Sequence, residues 1–477
     1  MDFETIIGLE IHAELATKSK IFCSCSTKFA SPPNENICPI CLGMPGTLPL
    51  LNKEVVALGI KAGKLLNCEI NKISKFDRKS YFYPDLPKGY QITQLETPLC
   101  VKGYIDIETK QNKKTIGINR IHIEEDAGKL IHLHDEDISL ADYNRAGIPL
   151  IEIVTEADFR SPEEVTIFLQ DLRTALQYAE ISDGKMEEGS LRCDLNISLR
   201  KKGSKRLNTK VEIKNLNSFR EIYRALQAEE KRQKGLYIQG REKEIYQETR
   251  RWDKQQGKTI VMRSKNEAQA YQYFPELDLE PLVIDDDFIE EITRQIPELP
   301  QERKKRIIKQ YGLDEQDAEI LIGEKFLVDY FEKLVSYNID PIEAANWIRV
   351  DLLRLIKDLN YSRGEIPLEA KSLAEIISLI QSGEISYTAG RRLFRQAVGS
   401  KKPPQQLLEE MGLSQISDKE QLEKIVDEIL AHNLQAVEDY KNGKTRALGF
   451  IVGQAMKATK GKANPQLVKD IIARKLC

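Results

Sequence analysis

The period of the apolar residues changes once along this chain, near Ile292, and that change limits what the chain can fold into. Before it, Leu191-Arg192-Cys193-Asp194-Leu195-Asn196-Ile197-Ser198-Leu199-Arg200 alternates apolar and polar throughout, as a strand does with one face on a core and the other in polar surroundings. Ile7, Leu9 and Ile11 alternate with Gly8, Glu10 and His12 in the same way. Two helices are expected among these strands, opened by Ser161-Pro162-Glu163-Glu164 and by Ser218-Phe219-Arg220-Glu221, with Gly235 ending the second. After Ile292 the repeat becomes helical. Leu373, Ile376, Ile377 and Ile380 follow Ser372-x-x-Glu375, and Leu422, Ile425, Val426, Ile429 and Leu430 follow Ser417-x-x-Glu420. Gly399-Ser400-Lys401-Lys402-Pro403-Pro404 reads as a linker between the two stripes. The expected class is α+β, in three parts: an α+β domain over 1–292, a helical domain over 293–403, and a small helical tail over 404–477.

The 477 residues exceed the ~250–300 that one hydrophobic core usually serves, which agrees with that division. With 41% hydrophobic residues, 71 Lys or Arg and 74 Asp or Glu, the chain is not of the disordered class. No apolar run reaches the ~20 residues of a membrane span, and the acidic start Met1-Asp2-Phe3-Glu4 lacks the basic region of a signal peptide. A cytoplasmic protein is expected. Charge is unevenly spread. From Lys441 to Cys477 there are nine Lys or Arg and one acid, Asp470, a net +8, which suits a polyanion at that end.

Three constellations could carry chemistry. Cys23-x-Cys25 and Cys38-Pro39-Ile40-Cys41-Leu42-Gly43 place two close thiol pairs on two turns, a tetrahedral zinc pattern with a closed, structural shell. Free cysteines or disulfides are the alternatives. Glu10, His12 and Glu14 share one strand face, Arg120–Asp126 ends in Glu124-Glu125-Asp126, and Glu152 is enclosed by Leu150, Ile151, Ile153 and Val154. A carboxylate so placed costs several kcal/mol unless it is paired or metal-bound. Hard oxygens with one imidazole suit Mg²⁺ or Mn²⁺; a solvated acidic edge is the alternative. Lys75–Asp85, followed by Lys88-Gly89-Tyr90-Gln91, interleaves cations with aromatics. Such a loop holds phosphates and stacks bases, or its aromatics pack on the domain. A P-loop is absent: Gly59-Ile60-Lys61-Ala62-Gly63-Lys64-Leu65 is one residue short and ends in Leu.

Taken together, these segments resemble the GatB family, the B subunit of the glutamine-dependent Glu-tRNA(Gln)/Asp-tRNA(Asn) amidotransferase. The resemblance rests on Phe3–Glu14, Lys75–Asp85, His122–Lys129, Pro149–Val154, Lys185–Ser198, Lys214–Phe219, Gln247–Arg251, Gly449–Lys457 and Gly461–Pro465. It implies an antiparallel-sheet cradle domain, an all-α helical domain and a YqeY-like tail. It implies ATP-dependent phosphorylation of the side-chain carboxylate of misacylated tRNA, followed by amidation with ammonia. An amidase-type A subunit would supply that ammonia, and a small C subunit would join the two. Carried onto this chain, Glu10, His12, Glu124, Glu125 and Glu152 become Mg²⁺ or phosphate-site candidates. Lys79, Tyr81, Tyr83, Lys88 and Asp194 become candidates for substrate contacts or the inner mouth of an ammonia channel. Glu124, Glu125, Glu152 and Lys79 are the expected catalytic groups. The competing reading is a non-catalytic subunit that only grips tRNA.

Overall fold

The computed structural model describes residues 2–109, 112–133, 137–264, 271–359, 361, 366–400, 402–413, 419–441, 444, 446–459, 463 and 465–476. It forms two compact units, Met1–Leu299 and Pro300–Cys477. The first unit carries strands β1 (Phe3–Glu14), β2 (Glu69–Ile70), β3 (Ile73–Ser74), β4 (Asp77–Ser80), β5 (Tyr90–Thr93), β6 (Cys100–Glu108), β7 (Lys113–Glu125) and β8 (Lys129–Leu133). These are followed by β9 (Ile138–Asp142), β10 (Pro149–Thr155), β11 (Leu191–Lys201), β12 (Val211–Lys214), β13 (Glu248–Asp253), β14 (Lys258–Ser264), β15 (Tyr273–Pro275) and β16 (Leu282–Val283). Nine of them form one sheet in the order β14-β13-β12-β11-β1-β10-β7-β6-β2.

Neighbours in that sheet run antiparallel except β12 and β13, which are parallel. A parallel pair needs a long crossover, and the helix Phe219–Ile238 (α3) lies between the two strands in sequence. Two further helices, α1 (Lys53–Leu65) and α2 (Pro162–Tyr178), join α3 in covering one sheet face. The apolar residues Ile7, Leu9, Ile11, Ile121, Ile123, Ile151, Ile153, Leu195 and Ile197 meet Val56, Phe168, Leu172 and Ile222 there. The opposite face carries the polar half of each alternation. Next to it a small sheet, β15-β4-β5, sets Thr93 against Glu124, the hydroxyl donating at 3.2 Å.

The capping serines act as expected at two helices: Ser161 accepts from the Glu164 N–H and Ser218 from the Glu221 N–H. Gly235 does not end α3. That helix runs on to Ile238, and Gly240, with φ at +69°, makes the turn. A left-handed residue after the last turn is a common helix stop.

The second unit is helical. The helix Ala370–Gln381 starts ahead of Ser372, so that serine caps nothing. Burial of Leu368 and Ala370 draws the chain into the helix earlier than the capping box suggests. Helix Pro404–Met411 packs on the preceding helices Ala370–Gln381 and Tyr387–Ala397. A separate core then begins at Leu422, with Val426, Ile451, Val468 and Ile472 at its centre. Ser417 lies outside the described residues.

Candidate active site

Three neighbouring strands set the centre of the site. Pairing of β1 with β10 places His12 opposite Glu152, and pairing of β10 with β7 places Glu152 opposite His122. Glu124 is two residues beyond His122, so alternation returns it to the same, helix-free face. Nε2 of His12 lies 3.3 Å from a carboxylate oxygen of Glu124 and 3.3 Å from one of Glu152. Nε2 of His122 lies 3.4 Å from each of the same two groups.

Burial opposes a charge on either imidazole, but the two carboxylates outweigh it. His12 is pushed up to about 10 and His122 to about 9. Burial likewise disfavours ionised Glu124 and Glu152, yet contacts with the two histidines hold both well below the usual carboxylate range. Nδ1 of His122 is buried with no hydrogen-bond partner, so Nε2 is the nitrogen turned to the acids. The donor atoms of His12, Glu124 and Glu152 all lie within 4.8 Å of one another. Two hard carboxylates and an imidazole fit Mg²⁺ or Mn²⁺, and a bound cation would take over the charge balance that the imidazoliums now supply.

Glu10 shares this face but sits one step along β1, opposite Asp194. It accepts from Asn196 Nδ2 at 3.1 Å, and Asp194 accepts from Lys214. On the other side of the cluster, Lys79 and Tyr81 line a cavity of about 310 Å³ with His12 and Glu124. Lys79 Nζ lies 4.7 Å from the ring centre of Tyr271, and Tyr81 packs against Tyr271 at 5.7 Å. Tyr83 packs on Tyr81 at 5.9 Å. Arg192, paired with Asp126 at 2.9 Å, and Lys214, Gln91 and Tyr271 also stand in the walls, and of these four only Gln91 lies in a segment read for its chemistry from the sequence. Arg192 had a readable signal, because it alternates onto the same face as Asp194.

Glu125 is not brought together with the other acids. Alternation turns it to the opposite face of β7, where Lys88 Nζ donates to its two oxygens at 2.5 and 2.7 Å and the Ile92 N–H donates at 2.8 Å. Grouping Glu125 with His12, Glu124 and Glu152 as ligands of one ion therefore needs correction. Consecutive residues of a strand cannot reach the same side. Glu125 and Lys88 instead line a smaller cavity of about 70 Å³, together with Lys20, Phe22, Cys23 and Cys41.

The sulfurs of Cys23, Cys25, Cys38 and Cys41 lie within 4.8 Å of one another, a four-cysteine cluster that can bind zinc. Contact with Cys23 leads in lowering the Cys41 thiol to about 5, against burial, and the Cys38 N–H and Lys20 help. The Cys38 N–H donates to Cys41 Sγ at 3.2 Å, and the fully buried Lys20 ammonium donates to it at 3.7 Å. Such donors stabilise thiolate, the form that zinc takes.

Residues 5–290 match the family model described as the GatB/GatE catalytic domain, and residues 329–476 match the one described as the GatB domain. A B subunit of the aspartyl/glutamyl-tRNA(Asn/Gln) amidotransferase of Clostridium acetobutylicum is 54% identical, with all of each chain covered. The B subunits of the same amidotransferase in Clostridium beijerinckii and Caldicellulosiruptor bescii are 53% and 52% identical, over 100% of this chain and 99% of theirs. The acidic cluster, its cavity and the four cysteines all lie inside the first matched region, and with both models matched in order the chain belongs to the GatB family.

Proposed function

We propose that the His12–Glu124–Glu152 centre phosphorylates the side-chain carboxylate of a misacylated tRNA, within the tRNA-dependent amidotransferase that has this chain as its B subunit. The supporting observation is two ionised acids and two imidazoles gathered on one sheet face, beside a cavity that also holds Lys79, Arg192 and Lys214. A carboxylate is a poor electrophile for ammonia, so it must first gain a leaving group. ATP supplies one, as phosphate of an acyl phosphate. His12, Glu124 and Glu152 would hold a Mg²⁺ ion, which when bound neutralises charge on the phosphate oxygens.

The chain's own groups do the rest. Lys79 and Arg192 attract the phosphates and the substrate carboxylate, and Tyr81 and Tyr271 give the cavity an aromatic wall on which a base or the aminoacyl end can rest. Asp194, one step along the same face beside Glu10, holds Lys214 in place. Ammonia then attacks the acyl carbon and phosphate leaves, giving Gln-tRNA(Gln) or Asn-tRNA(Asn). Lys88 and Glu125, on the far side of β7, are placed to handle an incoming small polar molecule rather than the ion. Ammonia would come from an amidase-type A subunit, joined through a small C subunit, in the cytoplasm. The four cysteines would hold structural zinc. The basic tail would bind tRNA.

The test is tRNA-dependent cleavage of labelled ATP by this chain assembled with its A and C partners. Cleavage that needs Glu124 supports the reading. Cleavage at an unchanged rate in Glu124→Gln would move the kinase site elsewhere and leave this chain a tRNA-binding subunit.

A further inference from the structure

Lys20 has no part in the phosphorylation reading, yet it is fully buried and lines the cavity beside Glu125. Its Nζ donates to Cys41 Sγ at 3.7 Å and to the Tyr143 carbonyl at 3.2 Å, and among the described residues it pairs with no carboxylate. We infer that Lys20 is the counter-ion of a zinc tetrathiolate at Cys23, Cys25, Cys38 and Cys41, and the residue that positions this centre against the turn entering β10. The inference rests on the reading of the four cysteines as a zinc site.

The first argument is charge. An ammonium taken out of water is strongly destabilising unless an opposite charge meets it. Four neutral thiols, or two disulfides, offer none. Four thiolates around a divalent ion carry a net charge of about −2, and one ammonium in contact offsets half of it. Lysine and metal centre thus each supply the charge that the burial of the other lacks.

The second argument is how the backbone aims the side chain. The Lys20 N–H donates to the Cys25 carbonyl at 2.9 Å, and the Ile21 N–H to the Gly147 carbonyl at 3.0 Å. Ile21 and Phe22 are buried, so the chain is fixed on both sides of this joint. The lysine therefore starts between a cysteine pair and the Tyr143–Gly147 turn, and it reaches both. Two asparagines of the same loop extend the joint. Asn34 Nδ2 donates to the Ala141 carbonyl at 3.0 Å, and the Asn36 N–H to Asn144 Oδ1 at 2.8 Å.

The third argument is that the neighbouring cations are otherwise placed. Lys88, in the same cavity wall, donates to both oxygens of Glu125. Lys18 and Lys28, close in sequence, are exposed. Lys20 is the ammonium that the described residues set on a cysteine sulfur. A dianionic centre without it would have Lys88 as the other cation of its cavity, in competition with Glu125.

The test uses the full chain as wild type, Lys20→Met, Lys20→Gln and Lys20→Arg. The first two keep an unbranched side chain without the charge, and the third keeps the charge; either neutral variant serves if the other does not fold. Competition with a chelator of known affinity gives the Kd for zinc. Iron is then loaded in place of zinc, as tetrahedral sulfur sites allow, and its reduction potential is measured, because nearby charge and donors to the sulfurs set it. The expected result is a rise in zinc Kd of about tenfold or more in both neutral variants. Their iron potential should fall, since the ferric centre carries less negative charge and needs the cation less. Lys20→Arg should stay near wild type in both measurements. Unchanged Kd and potential in the neutral variants, beside a wild type that holds zinc, overturn the counter-ion and spare the zinc site. An equal loss of zinc affinity in all three variants with the potential unchanged also overturns it, since Lys20 would then only fill space. A wild-type chain that binds no zinc overturns both readings.

Discussion

At the scale of single residues, the site depends on which side of a strand each acid faces. Glu124 and Glu125 are adjacent in sequence, and one meets His12 and His122 while the other meets Lys88. Their substitutions should therefore fail differently. His12→Ala removes the proposed nitrogen ligand and keeps both carboxylates. We expect it to raise the Mg²⁺ concentration needed for half-maximal ATP cleavage by about tenfold or more, with partial rescue by excess Mg²⁺ or Mn²⁺, since the two carboxylates that hold such ions remain. A metal titration of the assembled complex checks this; an unchanged midpoint counts against His12 as a ligand. Glu125→Gln should keep tRNA-dependent ATP cleavage and lose coupling of glutamine hydrolysis to amidation, because it leaves the Lys88 ammonium buried without its counter-charge. Measuring the ratio of Gln-tRNA formed to ATP cleaved separates the two; loss of ATP cleavage itself would return Glu125 to the phosphoryl site.

Much of this was readable in the sequence. The spacing of two in Glu10-x-His12, the acids that end Arg120–Asp126 and the enclosed Glu152 marked the residues to watch. Sequence could not show that β10 lies between β1 and β7, since that order depends on long-range pairing, nor that His122 would complete the cluster. Tyr271 was beyond reach for the same reason: it enters from a segment more than 140 residues after His122 in the chain.

At the scale of elements, the cysteine loop and β7 share a wall. A Cβ on Gly43, which follows Cys41-Leu42 and has φ at +64°, would come within 2.4 Å of the Lys88 side chain. The loop thus rests directly on the partner of Glu125. Stripping zinc, or Cys38→Ser, should lower the melting temperature by about 5 °C or more, because structural metal adds folding energy. Differential scanning calorimetry with and without chelator, alongside zinc analysis, checks this; metal-replete protein free of zinc would refute the site. The four thiols and their role as a cluster were legible from spacing alone. The packing of Gly43 on Lys88 was not, because the two segments lie 45 residues apart and nothing in either composition marks the contact.

At the scale of the whole chain, a sheet-rich region precedes a helical one, as the change of period implies, and the structure divides into two units between Leu299 and Pro300. The sheet proved mixed at β12 and β13, a departure that short strands around a helix do not reveal in advance. The basic end is more balanced than its sequence suggests. Lys444 pairs with Asp439, Arg474 with Glu423 and Lys475 with Asp427, acids that precede the basic stretch. Lys441, Arg446, Lys457 and Lys469 remain, among the described residues, without an ion pair. Helix Pro404–Met411 belongs with the helices before it, so removal of the tail should begin after Gly412 rather than at Pro404. That truncation should raise KM for aminoacyl-tRNA about tenfold or more and flatten its salt dependence. Unchanged tRNA affinity would exclude the tail as a binding element.

If this chain makes an acyl phosphate at His12, Glu124 and Glu152, the labelled intermediate can be followed directly. The assembled complex is given misacylated Glu-tRNA, Mg²⁺ and ATP labelled at the γ-phosphate, without glutamine or ammonia, and label on the aminoacyl-tRNA is followed after rapid quenching. Wild type should transfer label to the tRNA-borne carboxylate. Glu124→Gln, with tRNA binding preserved, should do so at least about 100-fold more slowly, ~2.7 kcal/mol of barrier. Labelling by Glu124→Gln at the wild-type rate would contradict a phosphoryl-transfer role for this centre.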